Sequence, residues 1–149
     1  MSIMTAFPDA ASHDVRVLAT DINSQVVAQA ATGIYPEEET EAIPPNKKSQ
    51  FMEPYGQGIL RFGGSICRLP AFRVLNLNAT WPMKGMFSAI FCRNVVIYFD
   101  EATREHLWRR LADKLEPGGF LYVGHSERVA TKNECGLEQI APTIYRKDH

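Results

Sequence analysis

The stretch FSAIFCRNVVIYFDEATREHLWRRLADKLEPGGFLYVGHSE, Phe87 to Glu127, decides the fold. It opens as an apolar strand, FSAIFC, and then sets Arg93 and Asn94 at the point where the strand leaves a core. A buried sheet has no use for a guanidinium and an amide unless something beyond the strand end needs them. Asp100 follows as the N-cap of a helix, with Glu101 favourably placed in its first turn. Leu107, Trp108, Leu111 and Leu115 recur at helical spacing as one apolar stripe, and Pro117-Gly118-Gly119 is expected to stop the helix. FLYVGHSE is then a second strand with a polar exit at His125, Ser126 and Glu127. A strand, a crossover helix and a strand imply parallel pairing.

The same pattern recurs upstream. VRVLATDI, Val15 to Ile22, is β-branched and ends at Asp21. Asn23 or Ser24 caps a short helix carrying Val26, Val27 and Ala30 on one face, and Gly33 ends it. Tyr35 to Pro54 holds Pro36, Pro44, Pro45 and an acidic run, and is expected to be loop. Gly63-Gly64, between ILRF and SICRL, suggests a small hairpin. FRVLNLN is a strand leaving at Asn76 to Asn78, and LEQIAPTIYRK forms a last strand or hairpin. The alternation of strands and helices predicts an α/β fold with a doubly wound, mostly parallel sheet.

Bulk properties narrow the function. With 149 residues, 45% of them hydrophobic, the chain can bury the core of one globular domain. A formal net charge of -1 provides no broad field for nucleic acid or an anionic membrane. No apolar run approaches the roughly 18 residues of a membrane span, and the first residues do not form a signal peptide. Cys67, Cys92 and Cys135 are scattered and odd in number, which points away from a disulfide framework or a zinc site and toward the cytoplasm. GQG at Gly56 to Gly58 is a lone GxG; no P-loop, nucleophile elbow or HExxH is present.

In such sheets ligands bind beyond the carboxyl ends of the strands. Four exits carry polar groups: Asp21, Asn76 to Asn78, Arg93 with Asn94, and His125 with Ser126 and Glu127. Each has two readings. Asp21 caps the helix behind it or binds ribose hydroxyls. Asn76 to Asn78 form a turn or face a ligand. Arg93 pairs with Asp100 or Glu101 at the surface, or reaches into a site. His125 is a structural histidine or a catalyst.

The wording of these exits carries a family resemblance. ATDIN (Ala19 to Asn23), VLNLN (Val74 to Asn78), IFCRNVVIYFD (Ile90 to Asp100), PGGFLYVGHSE (Pro117 to Glu127) and TIYRK (Thr143 to Lys147) together resemble the CheR-type chemotaxis receptor methyltransferases, over Ser2 to Lys147. That family transfers the methyl group of S-adenosylmethionine (SAM) to glutamate side chains of methyl-accepting chemotaxis receptors. The resemblance implies a SAM-methyltransferase (Rossmann-like) fold with a small inserted β-hairpin subdomain. It implies SAM as cofactor, S-adenosylhomocysteine (SAH) as product, and no metal. The implied partners are the cytoplasmic helices of the receptors.

Carried over by position, Asp21 would hold the ribose hydroxyls, Asn76 and Leu77 would flank the adenine, and Arg93 and Asn94 would line the pocket near the methionine part. Tyr98, with Arg93, is the implied catalytic residue, close to the methyl being moved. GILRFGGSICRLP matches the inserted subdomain, at about residues 55–70, and its Arg61 and Arg68 are the implied contacts to an acidic receptor helix. A glutamate carboxylate, which ordinarily titrates near pH ~4.3, is already anionic at neutral pH, so its methylation needs alignment rather than a general base.

One departure stands out. In the family a first strand and a Gly-rich turn precede the position of SIMTAFPDAA, and an N-terminal helical domain precedes them; residues 1–149 match only part of the catalytic domain. The missing strand is the central one, between VRVLATD and FSAIFCR, so two strand edges are left open. The expectation is a rearranged sheet or a homodimer that shares strands. In the first case the edges pair with each other or the amino-terminal segment fills in. A non-catalytic remnant acting as a regulatory binding module is the alternative function.

Overall fold

A computed structural model describes residues 1–129 and 135–148. The chain divides into two compact units, Met1–Asn76 and Leu77–His149.

The first unit begins with helix α1 (Ser2–Ala6) and a 3-10 turn over Pro8–Ser12. Strand β1 (Val17–Asp21) leads into α2 (Ser24–Thr32). Asn23 accepts the Gln25 N–H at the helix start, and Gly33 ends it in the left-handed region at φ 64, the conformation glycine adopts without a Cβ penalty. Strand β5 (Pro70–Val74) lies parallel to β1, Val17 opposite Pro70 and Asp21 opposite Val74. Between them β2 (Ile34–Pro36), β4 (Ile59–Phe62) and β3 (Met52–Gly56) form a separate antiparallel sheet in the order β2-β4-β3. Helix α3 (Pro45–Phe51) precedes β3. Met4, Ala10, Phe51 and Leu69 form the buried core of this unit.

Two expectations are corrected here. Tyr35 to Pro54 is not loop: its prolines sit where proline is tolerated. Pro36 and Pro54 lie on the two edge strands, and Pro45 opens α3. The hairpin turn is not at Gly63-Gly64. It falls at Gln57-Gly58, with Gly58 at φ 64, between β3 and β4; SICR is a 3-10 turn, Gly64–Arg68. The lone GxG is therefore hairpin-turn sequence.

The second unit is a four-stranded sheet in the order β6-β7-β9-β8, built from β6 (Phe87–Cys92), β7 (Leu115–Val123), β8 (Leu137–Ala141) and β9 (Ile144–Lys147). The β6–β7 pair is parallel, and α4 (Glu101–Asp113) is the crossover between them. Side chains along a strand alternate between faces. Leu121 and Val123 are buried in one cluster with Leu107, Trp108 and Leu111 of α4, while Phe120 and Tyr122 are partly exposed. Phe91 stacks on Tyr122 with centroids 4.4 Å apart and remains exposed.

Helix α4 ends at Asp113, before the Pro-Gly-Gly expected to stop it. Those residues lie inside β7. A Cβ at Gly119 would stand 2.9 Å from the Glu116 carbonyl and 3.2 Å from those of Phe87 and Ser88. Glycine permits that close approach where the β6–β7 register shifts between Phe87 and Ala89. Val95 to Phe99 does not resume the strand; a 3-10 turn, Val96–Tyr98, replaces it.

The open-edge expectation resolves in part. β1 and β6 belong to different sheets and do not pair with each other. The amino-terminal residues that would fill in are helical instead. Among the described residues β1 pairs only β5, and β6 pairs only β7.

Leu121→Ala, at a site with no exposed surface, should cost about 2–5 kcal/mol. Phe91→Ala, at 71% exposure, should cost about 1 kcal/mol or less, mostly from the lost ring stacking. Urea denaturation of both variants checks the contrast.

Candidate functional site: the polar strand exits

In the first unit Asp21 ends β1 and Asn76 follows the end of β5, so parallel pairing brings both to the carboxyl end of the same two strands. The Leu75 N–H donates to the Asp21 carbonyl at 2.9 Å and fixes that junction. The Asp21 side chain is exposed, and its Oδ1 accepts the Asn23 N–H at 2.8 Å. Asn23, not Asp21, is the N-cap of α2.

In the second unit Arg93 and Asn94 stand exposed just past β6, at the same end as Gly124 to Glu127 past β7. Asn94 is the only non-glycine residue with positive φ among those described, at 58°. Arg93 pairs with neither Asp100 nor Glu101 among the described residues. Asp100 instead caps α4, its Oδ1 accepting the Thr103 N–H at 2.8 Å. Tyr98 is 84% exposed in its 3-10 turn, so its ring is free to meet a ligand. His125 and Ser126 are exposed. Glu127, expected at the rim with them, is corrected: it is 2% exposed and turned inward. Its Oε1 accepts the N–H groups of Val95 and Val96, and its Oε2 that of Gly124.

Leu77 is half-buried, packed against the core of the second unit. A clasp missed in the sequence holds it. Arg110 donates to the carbonyls of Leu77 and Ala79, each at 2.6 Å, while its guanidinium lies 4.0 Å from the Trp81 ring centroid. Trp81 Nε1 donates to the same Leu77 carbonyl at 3.1 Å. Arg110 sits in the last turn of α4, where a cation also suits the helix dipole. The available signal was an arginine one turn from the apolar stripe with a tryptophan upstream.

Arg61 and Arg68 lie apart from these exits in sequence. Arg61 Nε is 2.6 Å from Glu53 Oε1 and its guanidinium lies over Tyr55, so its charge is matched locally. Arg68 is exposed at the end of its 3-10 turn.

Each unit by itself offers groups that suit a part of an adenosine-bearing ligand. A strand-tip carboxylate suits a vicinal diol, the Leu77 side chain offers an apolar ledge, and an exposed amide and guanidinium suit an amino-acid moiety. Cys92 is excluded from nucleophilic work: burial, aided by the Glu127 charge, pushes its thiol up to about 12. Among the described residues no cluster of His, Cys, Asp and Glu is placed to hold a metal ion. No described helix is long and apolar enough to cross a membrane.

Parallel strands with polar carboxyl-terminal exits define an α/β chain of the Rossmann-like, SAM-methyltransferase type. Residues 1–145 match the family described as CheR methyltransferase, SAM binding domain. A protein of Rhizobium etli named "Probable chemotaxis protein methyltransferase" is 42% identical over 149 residues, covering 98% of this chain and 56% of that protein. Chemotaxis protein methyltransferases of Klebsiella aerogenes and Escherichia coli are 42% and 40% identical, each covering 77% of this chain and 41% and 42% of the relative. The chain belongs to the CheR methyltransferase family. It spans about half the length of the curated relatives it matches.

The Asp100 carboxylate is held below the usual carboxylate range, first by the Thr103 amide. A depressed folded value means its stabilisation is present above the unfolded pKa and is lost as pH falls through the folded one. Asp100→Asn keeps a capping oxygen but no charge. Thermal melts from pH 2 to 7 should show the variant less stable at neutral pH, with the difference vanishing at the acid end.

Proposed function

We propose that this chain provides the cofactor-binding part of a SAM-dependent methyltransferase that modifies glutamate side chains of chemotaxis receptors in the cytoplasm. The observation that carries the reading is the family match over residues 1–145, joined to the polar strand exits at Asp21, Asn76, Arg93 and Asn94. When bound, SAM supplies a methyl group activated on a sulfonium.

The chain's own residues then have separable tasks. Asp21 accepts hydrogen bonds from the ribose hydroxyls. Asn76 and Leu77 flank the adenine, with Leu77 held by the Arg110–Trp81 clasp. Arg93 and Asn94 orient the methionine part, Arg93 through a charge that does not titrate. The exposed Tyr98 ring would be available to the reacting end of the cofactor, where an aromatic ring could interact with a positive sulfonium. No residue needs to act as a base, because the substrate carboxylate is anionic already. Arg61 and Arg68 are the candidate contacts to an acidic receptor helix, Arg61 by exchanging Glu53 for a receptor carboxylate.

One observation favours the second reading, an incomplete binding module of the same fold: among the described residues β1 and β6 each have one side without a partner strand. Titration calorimetry with SAH on this chain decides between them. Binding, weakened about tenfold or more in Asp21→Asn through loss of a charge-assisted hydrogen bond, supports the methyltransferase reading. Absence of heat at millimolar SAH contradicts it for this chain and leaves the module.

The same unpaired sides support a strand-sharing homodimer, since exposed parallel edges pair readily. Light scattering should then give twice the 16.7 kDa chain mass. A monomer across the micromolar range contradicts strand sharing.

A further inference from the structure

Glu127 is a buried carboxylate that pairs with no described cation. Burying an ion is unfavourable unless hydrogen bonds replace its lost water. Here backbone amides do so. Oε1 accepts from two successive groups, Val95 N at 3.0 Å and Val96 N at 3.2 Å, and Oε2 accepts from Gly124 N. Two consecutive N–H groups converging on one oxygen form a small anion-binding nest. The Glu127 N–H in turn donates to the Gly124 carbonyl at 3.1 Å, closing the turn that carries the carboxylate.

The surroundings leave little slack. A Cβ at Gly124 would lie 2.6 Å from Asn94 Oδ1, 2.8 Å from Glu127 Oε2 and 3.1 Å from Asn94 N. Asn94 holds a left-handed backbone at φ 58, a conformation tolerated by asparagine at some cost. One carboxylate thus ties the turn after β6 to the turn after β7, with the left-handed Asn94 trapped between them.

We infer that Glu127 is a positioning residue, which fixes the Arg93–Tyr98 segment for cofactor binding without touching the cofactor. The inference rests on the proposed function and deepens it. Within that segment only Val96 is fully buried, while Arg93, Asn94 and Tyr98 are exposed. Their aim therefore depends on the backbone that Glu127 grips. Sites whose supporting residues are loosened lose function even when every contacting residue is intact.

Glu127→Gln is the informative variant. It keeps the shape but replaces one acceptor by an NH2 donor. Whichever way the amide turns, that donor faces a backbone N–H, either at Gly124 or at Val95 and Val96. SAH affinity is expected to fall about tenfold or more, and amide relaxation by NMR should show new motion confined to Asn94–Tyr98 and Gly124. Phe51→Ala, in the buried core of the first unit and away from both turns in sequence, serves as the control for general destabilisation. It should lower the melting temperature at least as much while changing SAH affinity less than about twofold. Equal weakening by both variants, or unchanged affinity in Glu127→Gln, overturns the inference. Should the unaltered chain bind no SAH, the functional reading falls, and the relaxation data still decide this one: unchanged motion at Asn94–Tyr98 in Glu127→Gln contradicts it.

Discussion

An ion can stay inside a protein only where something replaces the water it gave up, and in this chain three backbone amides do so for Glu127. That exchange ties the ends of two parallel strands together. β6 delivers Arg93 and Asn94, β7 delivers Gly124, and the carboxylate between them keeps both turns in one arrangement. The strands themselves are held by a different force. Leu121 and Val123 bury their face in a cluster with Leu107, Trp108 and Leu111, so apolar burial sets the unit and the polar contact sets its rim. The neighbouring Cys92 records the same environment, its thiol kept protonated by burial and by the carboxylate's charge.

Polar strand tips are what an α/β sheet has to offer a ligand, because its faces are taken up by packing. The two units each follow this plan. Asp21 and Asn76 stand at one end of the β1–β5 pair, and Arg93 and Asn94 stand at the corresponding end of the β6–β7 pair. Leu77 differs in being gripped from behind, through its carbonyl, by Arg110 and Trp81. Held by its backbone and half-buried against the core, the Leu77 side chain keeps a fixed place at the start of the second unit.

Much of this was legible from residue order. The β-branched run before Asp21, the Asn23 cap and the Gly33 stop are local signals, and local physics decides them. The β6–α4–β7 unit is equally plain, since a stripe of Leu107, Trp108 and Leu111 between two apolar runs has few other uses. The failures share a cause. Pro36, Pro45 and Pro54 read as breakers because sequence alone does not show which strands are edges or where a helix begins. Gly118 and Gly119 read as a helix stop, yet the constraint on Gly119 is the approach of three carbonyls, Glu116 nearest and those of Phe87 and Ser88 from another strand. Glu127 read as a rim residue, since an acid after a strand is usually solvated; its amide partners come from both turns, two of them about thirty residues away in sequence. The Arg110 clasp is non-local in the same way.

The central proposal is that the polar exits of the β1–β5 pair and of the β6–β7 pair each take part in recognising an adenosine-bearing methyl donor. The most direct test is to titrate SAH into the isotopically labelled chain and map the backbone amide shifts residue by residue. The account predicts shifts concentrated at Asp21–Asn23, Asn76–Leu77 and Arg93–Val96. Shifts confined to the amino ends of those strands or to the antiparallel β2-β4-β3 sheet, or no shifts at saturating ligand, would contradict it.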